Sequence, residues 1–190
     1  METASAARAD LANKTRLAAR TIRLKDGRPV TLRVAASEDA SAVQQFVRGL
    51  SLRSRHNRFF LPVRELSPDQ LERVTRSRPP GELALVGETA EGVQSRIVAM
   101  AQYAMSESHG AEFAVVVDDA WQRQGLGSQL IGVLADHAAR AGITAIGGLV
   151  LADNWPMLEL LTRLDCELDS DNDWHVIRVV KRLDARELAV

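Results

Sequence analysis

The chain has 190 residues, 46% of them hydrophobic, and a formal net charge of −1. That length and apolar content suit one soluble globular domain with a real core, and no apolar run approaches the ~18 residues of a membrane span. Residues 1–80 carry 16 Lys/Arg against 8 Asp/Glu and residues 81–190 carry 8 against 17, yet the basic half lacks interleaved aromatics, which argues against a nucleic-acid partner.

Residues 1–18 read as a mobile Ala-rich tail without the apolar centre of a signal peptide. Thr21 to Ala35 alternates on both sides of an Asp26-Gly27 turn and reads as a hairpin. Ser37, with Glu38 and Asp39 behind it, predicts a helix start that runs to about Leu50, and Ser51 caps a second helix through about His56. Ser67-Pro68-Asp69-Gln70 has a capping Ser, Pro at the first position and Gln three on, and opens a helix to about Thr75. Strands follow at Glu82–Glu88, Arg96–Met105 and Glu112–Asp118, and then a loop and helix over Trp121–Ala141. Ile143–Leu151 reads as a buried strand and Pro156–Leu164 as a helix capped by Asp153-Asn154. Cys166–Leu168 and Trp174–Leu183 close the chain as an antiparallel pair. The order predicts an α/β chain whose mixed central sheet is covered by helices on both faces.

Gln122-Arg123-Gln124-Gly125-Leu126-Gly127 follows the apolar run Phe113–Val117 and opens a helix with Leu126, Leu130, Leu134 and Ala138 at spacing four. A strand, a glycine loop and a helix N-terminus in that order form an anion cradle. The first helical amides are unpaired and the helix dipole places positive charge there. A nucleotide P-loop needs Gly-Lys before Ser or Thr, and Gly127 is followed directly by Ser128. A dinucleotide fingerprint needs a third glycine where this chain has Leu130.

The pattern Gln/Arg-x-x-Gly-x-Gly resembles the acetyl-CoA pyrophosphate loop of the GCN5-related N-acetyltransferases. Asn154-Trp155-Pro156-Met157 is similar to that family's Asn-x-x-Met segment. Lys25-Asp26-Gly27-Arg28, Leu32-Arg33, Leu50-Ser51, Arg58-Phe59-Phe60 and Ala111-Glu112-Phe113-Ala114-Val115 resemble the catalytic domain of bacterial protein-lysine acetyltransferases. The likeness runs from about Thr21 to Leu183, and residues 19–185 would form the acetyltransferase domain, standing alone without the extra domains some relatives carry.

The resemblance implies acetyl-CoA as cosubstrate and a primary amine as acceptor. It gives main-chain groups of Val115, Val116 and Val117 to the pantetheine and the amides of Gln122, Arg123, Gln124, Gly125, Leu126, Gly127 and Ser128 to the pyrophosphate. Asn154 and Met157 follow at the pantetheine arm, and Glu112 becomes the general base, with Glu107 and His109 as lesser candidates. The family's usual tyrosine acid falls at Leu161. Either solvent protonates the leaving thiolate or Tyr103, the sole tyrosine, reaches in.

The acceptor is a protein lysine, a small amine such as an aminoglycoside, polyamine or amino acid, or, in a non-catalytic CoA-binding module, nothing at all. Cys166 reads as core, and its being the only cysteine fits a cytoplasmic chain without disulfides. Four histidines without paired carboxylate spacing predict no metal. His137 reads as surface, Phe59, Phe60 and Trp174 as core. No membrane contact is expected, and monomer and homodimer stay open.

Overall fold

The computed structural model describes residues 17–91, 94–106, 110–169 and 175–183. Most of the tail, together with Glu107, His109 and Trp174, lies outside them. Eight strands form one sheet in the order β1-β2-β3-β4-β5-β6-β8-β7. They are β1 (Arg20–Arg23), β2 (Pro29–Val34), β3 (Glu82–Glu91), β4 (Gln94–Ser106), β5 (Gly110–Val117), β6 (Ala145–Leu151), β7 (Glu167–Asp169) and β8 (Val176–Arg182). The helices are α1 (Ala40–Gly49), α2 (Leu52–Phe59), α3 (Pro68–Thr75), α4 (Leu126–Arg140) and α5 (Trp155–Arg163). Every neighbouring pair is antiparallel except β5 with β6.

Strand alternation sorts the core into two layers. Leu83, Leu85, Phe113, Val115 and Val117 pack with Leu126, Leu130 and Leu134 of α4. Ala84, Val86 and Val116 pack on the other face, with Val43, Phe46 and Val47 of α1 and Val74 of α3. The predicted order of elements therefore holds, with shifted ends. α4 starts at Leu126, because Asp119–Trp121 is a separate 3-10 turn and Gly125 at φ +91 ends the loop in the left-handed region. α2 continues to Phe59, where Phe60 takes φ +59 and stands exposed, so it is not a core residue. A β-bulge between Gly87 and Glu88 puts Val98 and Ala99 in the same core layer.

Two capping expectations had different outcomes. At α3, Gln70 N–H donates to Ser67 Oγ at 3.2 Å and Ser67 N–H donates to Gln70 Oε1 at 2.8 Å, as the motif predicts. Before α1 it is Asp39, not Ser37, that closes the turn, by accepting from Ala36 N–H at 2.8 Å.

The same Asp39 carboxylate accepts from both terminal nitrogens of Arg33 at 2.7 and 2.8 Å, and Arg33 Nε donates to Glu88 at 2.7 Å. One arginine on β2 thus joins the head of α1 to β3. The Arg33 guanidinium outweighs burial and holds Asp39 below the ordinary aspartate value of 3.8. The Ser95 hydroxyl and Arg33 hold Glu88 below 4.5.

Carboxylates held low in the folded state add stability above their unfolded values, and that contribution disappears as pH falls through the folded values. Arg33→Met strands a mostly buried carboxylate and should cost about 2–3 kcal/mol in urea unfolding at pH 7. The gap from wild type should hold above about pH 5 and close below about pH 4.

Candidate active site

β5 and β6 pair only at Ala111 with Ile146 and Glu112 with Gly147. Beyond that point the two parallel strands part. Phe113 through Val117 keep their β4 partners but have none on β6. Strand backbone groups face alternate edges, so this stretch presents main-chain donors and acceptors along the cleft. Val115, Val116 and Val117 all lie on it. The Val117 carbonyl is already occupied, since it accepts from Gln122 Nε2 at 3.0 Å, so only part of that segment is free.

The cleft leads to the cradle. Arg123 takes φ +59 and Gly125 φ +91, and left-handed residues on either side of Gln124 curl the chain into a concave nest of amides. The main-chain N–H groups of Arg123, Gln124, Gly125, Leu126, Gly127 and Ser128 make no hydrogen bond within the described residues. Gln122 differs: its N–H contacts Asp119 O at 3.5 Å, and its side chain serves the fold. Ser128 Oγ donates to Gly125 O at 2.7 Å, which fixes the first helical turn.

The two glycines serve different ends. Gly125 supplies the left-handed turn. A Cβ on Gly127 would sit 3.2 Å from Leu160 Cδ2 of α5, so a larger residue there would press on that side chain.

Three contacts hold the loop from outside. Asp119 accepts from Ser51 N–H at 3.0 Å, Ser51 Oγ at 2.8 Å and Ser54 Oγ at 2.8 Å. Burial pushes the Asp119 carboxyl up, but these bonds outweigh it and hold the group below 3.8. Ser54 Oγ also accepts from Gln122 Nε2 at 3.1 Å, so Asp119, Ser54, Gln122 and Val117 form one chain of bonds. On the other side, Arg28 stacks over Trp121 at 3.8 Å and donates to Ala120 O at 3.0 Å.

Glu112 is the last β5 residue paired with β6, and its side chain is exposed. It shares a strand face with Ala114 and with Val116, which packs in the α1–α3 layer. Burial lowers the Arg58 guanidinium to about 10, and the nearby Glu112 charge opposes that shift. Arg58 is therefore a cation beside Glu112 at neutral pH, a neighbour that spacing along the chain did not reveal.

Asn154 is 7% exposed at the head of α5. Its N–H donates to Leu151 O and its carbonyl accepts from Met157 and Leu158. Its side-chain amide has no hydrogen-bond partner among the described residues and is not sealed from solvent, since the buried side-chain atom left without a partner there is Arg55 Nε. Met157 packs half-buried against the core beneath it.

Several expected roles fall away. Tyr103 is 1% exposed and its hydroxyl contacts His137 Nδ1 at 2.7 Å and Pro80 O at 3.0 Å. It points to the α4 face, opposite Glu112, and burial raises its pKa, so it does not reach the cleft. His137 is consequently buried, not a surface residue. Leu161 is fully buried in the core. Cys166 is buried, which raises its pKa, as fits a core residue. Asp165 takes the left-handed turn at φ +55. No His/Cys/Asp/Glu cluster that could hold a metal exists among the described residues, and no helix there is long and apolar enough to cross a membrane.

The model of the acetyltransferase (GNAT) family matches residues 50–165. Acetyltransferase PA5475 of Pseudomonas aeruginosa is 32% identical over 157 residues, which cover 81% of this chain and 84% of that protein. The crystal structure of the GNAT domain of S. lividans PAT is similar at a TM-score of 0.78 and 24% identity, over 87% of this chain and 97% of its own. The structure of yncA, a putative acetyltransferase from Salmonella typhimurium with its cofactor acetyl-CoA, is similar at a TM-score of 0.65 and 19% identity, over 82% and 94%.

Asp119→Ala removes three hydrogen bonds at an exposed site and should lower stability by about 1–2 kcal/mol. Hydrogen exchange should quicken at the bonded amides that flank the loop, Lys25 and Gln129, more than in the α1–α3 layer.

Proposed function

The chain belongs to the acetyltransferase (GNAT) family and is an acetyl-CoA-dependent N-acetyltransferase, and on that premise we propose that it acetylates a protein lysine with Glu112 as general base. Three features taken together support this reading. These are the end of the β5–β6 ladder at Glu112, the unpaired amides of residues 123–128, and the unpartnered side chain of Asn154. In this reading the amides of Arg123 through Ser128 hold the diphosphate, each bond to a charged oxygen contributing roughly 1.5–3 kcal/mol. Asn154 and main-chain groups of Val115–Val117 hold the pantetheine, with Met157 packed beneath.

A lysine amine, with a pKa of ~10.4, arrives protonated near pH 7. Glu112 takes that proton directly or through a water. The neutral nitrogen then attacks the thioester carbon, and a main-chain N–H on the opened β5 edge stabilises the oxyanion, at ~3–4 kcal/mol per donor in comparable acyl transfers. The C–S bond breaks, the acylated nitrogen gives its second proton to solvent, and the thiolate takes one from solvent, leaving the amide and CoA thiol.

Support for a protein acceptor comes from the exposed apolar residues on and after α2, Leu52 at 77%, Phe60 at 37% and Leu61 at 64%. Such a surface suits a side chain presented by another protein. The segment Arg58-Phe59-Phe60 belongs to the same stretch. We further propose that residues 19–185 act as one catalytic domain in the cytoplasm.

Glu112→Gln should bind acetyl-CoA as wild type does in calorimetry yet lose about 10²–10⁴ in turnover. Mass spectrometry of a lysate incubated with acetyl-CoA and wild type should show acetylated lysines. Acetylation confined to a panel of small amines would end the protein-lysine reading. Wild type that binds acetyl-CoA without turnover on any acceptor would mark a binding module instead.

A further inference from the structure

Resting on the acetyl-CoA site above, we propose that Lys25, from the β1–β2 turn, binds the diphosphate of the cofactor together with the amide loop.

The turn is tight and docked. Leu24 N–H donates to Arg28 O and Gly27 N–H to Leu24 O, both at 2.9 Å. Asp26 accepts from Arg28 N–H at 3.0 Å and from Arg28 Nε at 2.7 Å. Arg28 fastens the turn to the loop through Trp121 and Ala120. Lys25 N–H donates to Gln124 O at 3.1 Å, in the middle of the loop itself. These contacts leave the Lys25 stem crossing Gly125, with Cε 3.9 Å from where a Cβ on that glycine would stand.

The electrostatics then point to an anion. Lys25 is exposed and makes no ion pair among the described residues, while the carboxylate next to it in sequence, Asp26, is committed to Arg28. Lys25 therefore adds an ammonium on a flexible stem to six unpaired N–H groups and the positive end of a helix. Like charges gathered this way repel one another until an anion arrives. Lysine suits the role, as a point charge on a flexible stem that can follow a phosphate. Gly125 lies within the amide nest, so the phosphate in reach is the diphosphate held there and not the 3′-phosphate on the ribose. Arg28 is a positioning residue, since its guanidinium is engaged with Trp121, Ala120 and Asp26.

Calorimetry with CoA, 3′-dephospho-CoA and pantetheine tests this. Lys25→Met keeps the stem and removes the charge, and Lys25→Arg restores charge. Lys25→Met should weaken CoA and 3′-dephospho-CoA equally, by about three- to tenfold at low salt, and less as ionic strength rises. Pantetheine, which lacks phosphate, should bind the variant and wild type alike, and Lys25→Arg should recover most of the CoA affinity. Unchanged CoA affinity in Lys25→Met overturns the proposal, as does a loss that vanishes with 3′-dephospho-CoA. Failure of wild type to bind CoA at all would instead overturn the cofactor reading together with this one.

Discussion

The parting of β5 from β6 after Gly147 is the constraint on which the site depends. A parallel pair in the middle of a sheet normally satisfies its backbone groups on both edges. Here β5 stays buried through Val115, Val116 and Val117, with β4 on one edge and nothing from β6 on the other. A buried peptide group without a partner costs about 1–3 kcal/mol. The fold tolerates the gap because packing elsewhere is dense. α4 fills one face with Leu126, Leu130 and Leu134, and α1 and α3 fill the other. A ligand that brings amides and carbonyls into the cleft replaces the missing strand, as an added strand does at a sheet edge. The pantetheine arm of acetyl-CoA, which carries two amides, is a ligand of that kind.

The cradle depends on the same rigidity. Loop amides bind an anion well only when they are held in place beforehand, because ordering a loop on binding consumes affinity. This loop is braced from several directions at once. Asp119 ties it to the head of α2, Arg28 and Lys25 tie it to the first hairpin, and Gly127 seats it against Leu160 of α5. The braces come from residues 25–28, 51–54 and 160, far apart in sequence. The loop also joins β5 to α4, so its position is coupled to the opened edge it must serve.

This distribution explains what could be read from the chain beforehand. Local rules worked where the structure is local. The Ser67 capping box, the Asp26-Gly27 turn and the α4 stripe at spacing four all form as periodicity and capping chemistry imply. The loop was legible too, since Gly125 and Gly127 follow an apolar strand. The long-range partners were not. Nothing near Ser51 in sequence announces Asp119, and nothing near Glu112 announces Arg58. The motif shows what the Gly127 amide offers a ligand but not that its missing Cβ also lets Leu160 of α5 come close. His137 looked exposed because helix periodicity does not show that Tyr103, from β4, awaits it on the inner face.

The absence of a tyrosine acid follows from the same packing. Leu161, the position at issue, is fully buried in the layer beneath α5, and its carbonyl accepts from Cys166 N–H at 3.0 Å. Tyr103 cannot substitute. Its hydroxyl is held by Pro80 and His137 on the far face, and burial makes the phenol a weaker acid than usual. The reaction does not require either group. A thiol has a pKa of about 8.5, against about 10.4 for the incoming ammonium, so a thiolate departs far more readily than the amine it is exchanged with. The demanding proton transfer is the one off the amine. One carboxylate to take that proton, with solvent to neutralise the departing sulfur, is the least machinery that completes the exchange, and in the proposed mechanism Glu112, exposed at the end of the β5–β6 ladder, is that carboxylate.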